Sequence, residues 1–114
     1  DKVAAHDDAE TRPGALYYLG RARFDGGDPA KARQALETLL AAYPSHALAP
    51  YGSYQLGFVL LALENPAGAA AAFSRAGETA ADDAVKAESR FRAAEAYSAA
   101  GLTLDAVAAY DALL

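Results

Sequence analysis

The stretch LYYLGRARFDGGDPAKARQAL, residues 16–36, decides how the whole chain is read. Its first half puts Leu16, Leu19, Gly20 and Phe24 three and four residues apart, the spacing of one face of an α-helix. Gly26-Gly27-Asp28-Pro29 then breaks that helix and starts another, with Asp28 as N-cap and Pro29 at the first helical position. Ala32 and Leu36 follow on the second helix, four residues apart. The stretch therefore predicts a helix, a tight break and a second helix.

The same plan returns with a step of 37 residues. Gly20, Gly57 and Ala94 are 37 apart, as are Ala32, Ala69 and Ala106, then Leu36, Phe73 and Tyr110, then Tyr17, Tyr54 and Phe91. Pro13 matches Pro50, Pro29 matches Pro66, and Gly27 matches Gly101 with Glu64 between them. Internal repetition at this length is the signature of a solenoid, in which each unit buries its apolar face only against its neighbours. Pro13 and Pro50 suit the first turn of a helix. Glu64-Asn65-Pro66 repeats the break with Asn65 as cap, and Gly101-Leu102-Thr103 marks the third break. Second helices are predicted from Pro29 to about Ala42, from Pro66 to about Gly77, and from Thr103 to the chain end. Tyr43-Pro44-Ser45 closes the first unit, whereas Ala80-Ala81-Asp82 lacks that proline, so the third unit's first helix is expected to start early or run long. Gly20 and Gly57 are expected to face Ala32 and Ala69 across each hairpin, with Leu36, Phe73 and Tyr110 filling the space between units.

Composition agrees with close-packed helices. Of 114 residues, 54% are apolar and 22% charged, which fits one folded domain and not a disordered chain. Alanine dominates the apolar set, valine is scarce and isoleucine is absent, so strands are disfavoured. The net charge of −5, with ten basic residues scattered among fifteen acidic ones, argues against a nucleic-acid partner. No apolar run approaches the roughly 20 residues that span a bilayer, so no direct membrane insertion is expected. The lack of cysteine excludes disulfides and thiolate metal sites and leaves the compartment open.

The residues Leu16, Leu19, Gly20, Gly27, Ala32, Leu36 and Pro44 together resemble the tetratricopeptide repeat motif. The pattern returns as Leu56, Gly57, Ala69 and Phe73, then as Tyr97, Gly101, Ala106 and Tyr110, so that the likeness covers residues 13–114. It departs from the motif at the usual tryptophan place, here Leu16, Ser53 or Arg90, and at Ala94, where glycine is usual. The resemblance implies an all-α, right-handed superhelical solenoid of antiparallel helix pairs. Its repeats would span about 13–49, 50–86 and 87–114, after a lead-in or the end of a preceding repeat at 1–12. The 37-residue step exceeds the family's roughly 34. The extra residues fall in the junction 43–50, which is similar to repeats of bacterial cell-envelope proteins: the Tol-Pal coordinator, the outer-membrane assembly lipoprotein and the periplasmic arms of exopolysaccharide export porins. That likeness implies a periplasmic location, with the cytoplasm as the alternative.

In this family the first helix of each unit lines the concave face. Carried over by position, the lining comprises Tyr17, Arg21, Phe24 and Asp25, then Tyr51, Tyr54, Phe58 and Leu61, then Glu88, Phe91, Glu95 and Ser98. Of these, Tyr17, Arg21, Phe24, Tyr51, Tyr54, Phe58, Leu61, Phe91 and Glu95 are the candidate contacts to a protein or peptide partner. Aromatic side chains supply large contact area at low entropic cost. Tyr17, Tyr54 and Phe91 fit equally a role in packing between helices, whereas Phe58 stands one turn beyond Tyr54 at a place that is normally wet. The lysine- and asparagine-based clamp for acidic chaperone tails is excluded, because those places hold Tyr17, Arg21, Tyr54, Phe58, Glu88 and Arg92.

Nothing in the sequence points to catalysis. His6 beside Asp7 and Asp8, and His46 in the junction, lack a second ligand at helical spacing, so no metal or other cofactor is expected. Gly26-Gly27-Asp28 lacks the Lys-Ser/Thr of a phosphate loop, and no serine stands in a nucleophile elbow. Asp82 and Asp83 suit a helix start. The expected function is a protein-interaction scaffold and not an enzyme. The alternatives are a spacer segment of a larger protein, or self-association through the apolar residues Leu113 and Leu114.

Overall fold

A computed structural model of the chain describes residues 11–114. The expectations placed on His6, Asp7 and Asp8, and on most of the lead-in, lie outside the described residues. Among the described residues six helices follow one another: α1 (Thr11–Asp25), α2 (Pro29–Ala42), α3 (Ala49–Ala62), α4 (Pro66–Thr79), α5 (Asp83–Ala99) and α6 (Thr103–Asp111). Each packs on the next, and α1 also touches α3. The stack measures 54 × 29 × 19 Å, elongated as a row of hairpins should be.

The three hairpin turns share one chemistry. At the first, Gly27 N–H donates to Phe24 O (3.0 Å) and Asp28 N–H to Arg23 O (2.9 Å), which satisfies carbonyls at the end of α1. Glu64 and Asn65 donate likewise to Leu61 O and Leu60 O, and Gly101 and Leu102 to Ser98 O and Tyr97 O. The motif needs a left-handed residue at its hinge. Gly27 (φ 85°) and Gly101 (φ 77°) adopt that conformation freely, whereas Glu64 adopts it at φ 59° against the steric preference of its Cβ. The next residue then caps the following helix. Asp28 Oδ1 accepts from Lys31 N (3.1 Å) and Asn65 Oδ1 from Gly68 N (2.9 Å). Leu102 occupies the same place and makes no side-chain cap.

Helix bounds follow the sequence reading with three differences. α1 is already helical at Thr11, two residues before Pro13 and the first described residue, α4 runs on to Thr79, and α6 stops at Asp111 short of Leu114. The missing proline before unit three does lengthen α5, which begins at Asp83 behind the cap Asp82 and at 17 residues is the longest helix among the described residues. The junction ahead of α3 is held by His46, whose Nδ1 accepts from Leu48 N at 3.0 Å.

The packing partners inside each hairpin differ from expectation. A Cβ on Gly20 would lie 2.7 Å from Leu36 Cγ, and one on Gly57 would collide with the ring of Phe73. The closest neighbours of the glycines across each hairpin are therefore Leu36 and Phe73, ahead of Ala32 and Ala69. The reason is the turn: an antiparallel pair folded about Asp28 opposes Gly20 to Leu36, and one folded about Asn65 opposes Gly57 to Phe73. Leu36 and Phe73 are both fully buried over the glycine of their own hairpin, and Phe73 also reaches the next unit, where it meets an open stretch lined by Arg92, Glu95, Ala96 and Ala99 of α5. Ala32, Ala69 and Ala106 remain buried, 0–5% exposed, as small residues of the core. Burying a side chain the size of Phe73 contributes roughly 1.5–3 kcal/mol. No helix among the described residues is long and apolar enough to cross a membrane.

Candidate partner-binding groove

The first helices of the three units, α1, α3 and α5, share one open groove. Its wider stretch, about 430 Å³, is lined by Tyr17 and Arg21 of α1, Tyr51, Tyr54 and Gln55 of α3, and Ala84, Val85 and Glu88 of α5. A narrower stretch of about 250 Å³ follows, lined by Phe58, Leu61 and Phe73 with Arg92, Glu95, Ala96 and Ala99. Sequence position brings these residues together for a simple reason. Residues at i, i+4 and i+7 of a helix share one face, and hairpin stacking sets the three first helices side by side.

Arg92 stands between the two stretches. Its Nε donates to Glu88 Oε2 at 2.7 Å and its Nη1 to Glu95 Oε1 at 3.0 Å. The guanidinium also lies 5.7 Å from the Phe58 ring centre and 5.9 Å from that of Phe91. All three charged side chains are 38–45% exposed, so each ion pair is worth at most about 1 kcal/mol and mainly fixes geometry. Glu88 Oε2 further accepts from the Tyr54 hydroxyl at 3.3 Å, which ties α3 to α5 across the groove floor. Burial raises the Tyr54 phenol above its ordinary 10.0, and the Glu88 carboxylate adds to the effect, so the hydroxyl stays a donor at neutral pH.

Each candidate residue has a definite place. Tyr17 and Arg21 pair as ring and cation at 6.0 Å, and Tyr18, which the sequence reading passed over, is 60% exposed with its ring 4.9 Å from that of Tyr17. Among the described residues Arg21 meets no carboxylate within ion-pair distance, in contrast to Arg92. Tyr51 and Leu61 are each 39% exposed in the groove wall. Tyr54, Phe58 and Phe73 form a cluster of edge-to-face rings at 5.0–5.7 Å, so Phe58 is half-buried and both packs and faces the groove. Phe24 packs against the core cluster and lines neither stretch. Phe91 also lines neither: 41% exposed, it meets Tyr110 at 6.2 Å, the pairing that Tyr54 makes with Phe73 one repeat earlier. Glu95 is in the narrower stretch, bound to Arg92. Asp25 and Ser98 are exposed and outside both stretches.

Sequence reasoning missed Gln55, Ala84, Val85, Ala96 and Ala99 as lining residues. Ala84 and Val85 reach the groove because α5 begins early, and the absent proline near residue 81 was the available signal. Small residues such as Ala96 and Ala99 form a floor that no side-chain chemistry announces.

The family model described as a tetratricopeptide repeat matches residues 14–46, which take in most of α1, its turn and all of α2. No curated protein matches the sequence. Residues 14–46 thus form a tetratricopeptide repeat, a unit that serves as a scaffold for protein–protein interaction, and the described helices continue it as an all-α stack of successive hairpins.

Proposed function

We propose that the groove on α1, α3 and α5 receives a segment of a partner protein, with an apolar side chain seated between Phe58 and Leu61 and an acidic residue at Arg21. The observation that carries this reading is the row of partly exposed rings, Tyr17, Tyr51, Tyr54 and Phe58, running beside an arginine that has no ion-pair partner among the described residues. Rings held by their neighbours lose little freedom on binding, and a cation at one end sets the direction of the bound segment. The 37-residue step, with its extra residues at 43–50, supports assigning the scaffold to a bacterial envelope assembly or export complex in the periplasm.

The test is a pull-down from bacterial envelope extract with the intact chain and with three variants: Phe58→Ala, Tyr54→Ala/Phe58→Ala and Arg21→Glu. For the captured partner, Phe58→Ala is expected to weaken binding by about 1–3 kcal/mol. Arg21→Glu lies outside the core and should weaken capture with the fold intact by circular dichroism. Equal capture by Arg21→Glu and Phe58→Ala, both folded, contradicts the groove reading.

A further inference from the structure

A cavity of about 210 Å³ opens where α2 and α4, the second helices of two units, meet over α3. Leu40 of α2, Leu56 and Leu60 of α3 and Ala72 of α4 make its apolar walls, and Ser53 of α3 and Arg75 of α4 border it. It shares no lining residue with either stretch of the groove. On α3 the two sets stand on different sides of the helix: Ser53, Leu56 and Leu60 on one, Tyr54, Phe58 and Leu61 on another.

Two polar groups at this cavity lack a partner. Ser53 is only 1% exposed, and its hydroxyl makes no hydrogen bond. A hydroxyl buried in that state is costly, so a ligand group that bonds it gains what the fold leaves unmade. Arg75 is exposed, and among the described residues no carboxylate comes within ion-pair distance of it, Glu78 three residues on included. Arg33, by contrast, is held by Glu37, and Arg92 by Glu88 and Glu95. One repeat on, the cavity recurs with different chemistry. Arg90 and Ala93 stand there at the places of Ser53 and Leu56, and Gly77 replaces Leu40. Aliphatic walls, an unbonded hydroxyl and an unpaired guanidinium come together at the first cavity.

We infer that the cavity between α2 and α4 is a second protein-docking site, which takes a leucine-like side chain of a partner with an acidic residue next to it. The aliphatic chain lies against Leu40, Leu56 and Leu60, the carboxylate reaches Arg75, and the partner's main chain supplies the bond that Ser53 lacks. Because walls and guanidinium border one small cavity, the two partner groups belong to neighbouring residues. The cavity is open, so a free acid of its size makes too few contacts to offset the cost of association, whereas a chain continues over the surrounding surface.

Amide chemical-shift titration of the full chain with end-blocked alanine hexapeptides tests this, each holding one leucine beside one aspartate, in either order. Saturable shifts are expected at Leu40, Ser53 and Ala72. At least one order should bind about three- to fivefold more tightly than its asparagine counterpart, the range that an exposed ion pair gives. Arg75→Gln, at an exposed place that leaves the fold intact, should remove that difference. Ser53→Ala should weaken binding, whereas Ser89→Ala, at a second buried hydroxyl without a partner, should not. No saturable shift at the cavity, shifts confined to the groove residues, equal affinity for aspartate and asparagine, or equal effects of the two serine variants overturns the inference. So does 4-methylpentanoate binding as tightly as the hexapeptides, because the ligand would then be a free acid.

Discussion

The α3–α4 and α5–α6 hairpins follow one plan 37 residues apart, yet only the first closes over its ring. In α3–α4 the Phe73 ring lies directly over Gly57 and is fully buried. In α5–α6 the glycine is Ala94, and Tyr110 at the place of Phe73 keeps the ring contact, here with Phe91, yet is 39% exposed. One methyl group at the hairpin's closest approach accompanies the change from a core ring to a surface ring. The caps follow the same trend. Asn65 holds the start of α4, whereas Leu102 leaves α6 uncapped, and α6 is only nine residues long. A helix that short has little stability of its own, so packing must hold it. The middle hairpin therefore secures the groove's ring cluster, whereas α6 has neither a buried ring nor a side-chain cap to hold it.

The contrast can be broken most forcefully at the rings. Phe73→Ala should destabilise the chain by about 3–5 kcal/mol, because it removes a filled core volume. Tyr110→Ala should cost about 0.5 kcal/mol or less, as surface changes do. Urea denaturation of both variants checks the difference. Next in size, Gly57→Ala pushes a methyl into Phe73 and should cost about 1–3 kcal/mol by the same assay. The reverse change, Ala94→Gly, should leave the tyrosine fluorescence of Tyr110 free to report a more enclosed ring. The smallest effect sharpens the comparison at the caps: Leu102→Asp, at a place whose backbone already resembles that of Asp28, should stabilise by about 1 kcal/mol, read as a raised thermal midpoint.

Much of this architecture is local chemistry and so was legible in the residues. Asp28-Pro29 and Asn65-Pro66 announce helix starts, Gly27 and Gly101 announce left-handed hinges, and the recurring step joins them into units. What faces what was harder. The position of the turn, and not the recurrence of small residues, sets which side chain comes closest to Gly20 or Gly57, and it is Leu36 or Phe73. The groove was legible as a helical stripe of rings, but its division was not. That depends on Arg92 reaching Glu88 and Glu95 while lying against Phe58, a junction of two helices invisible to spacing along one. Phe24 and Phe91 share the stripe's spacing and still lie off the groove, since spacing fixes a face and not what covers it.

Hydrogen exchange resolved by helix tests the central claim most directly, that a buried ring and a capped start hold α4 more tightly than α6, which has neither. The amides of α4 should exchange only through the highest-energy opening and those of α6 through a separate opening of much lower free energy, with α5 between them. Indistinguishable protection in α4 and α6 would contradict it, because the exposed Tyr110 and the uncapped helix start would then have no consequence for stability.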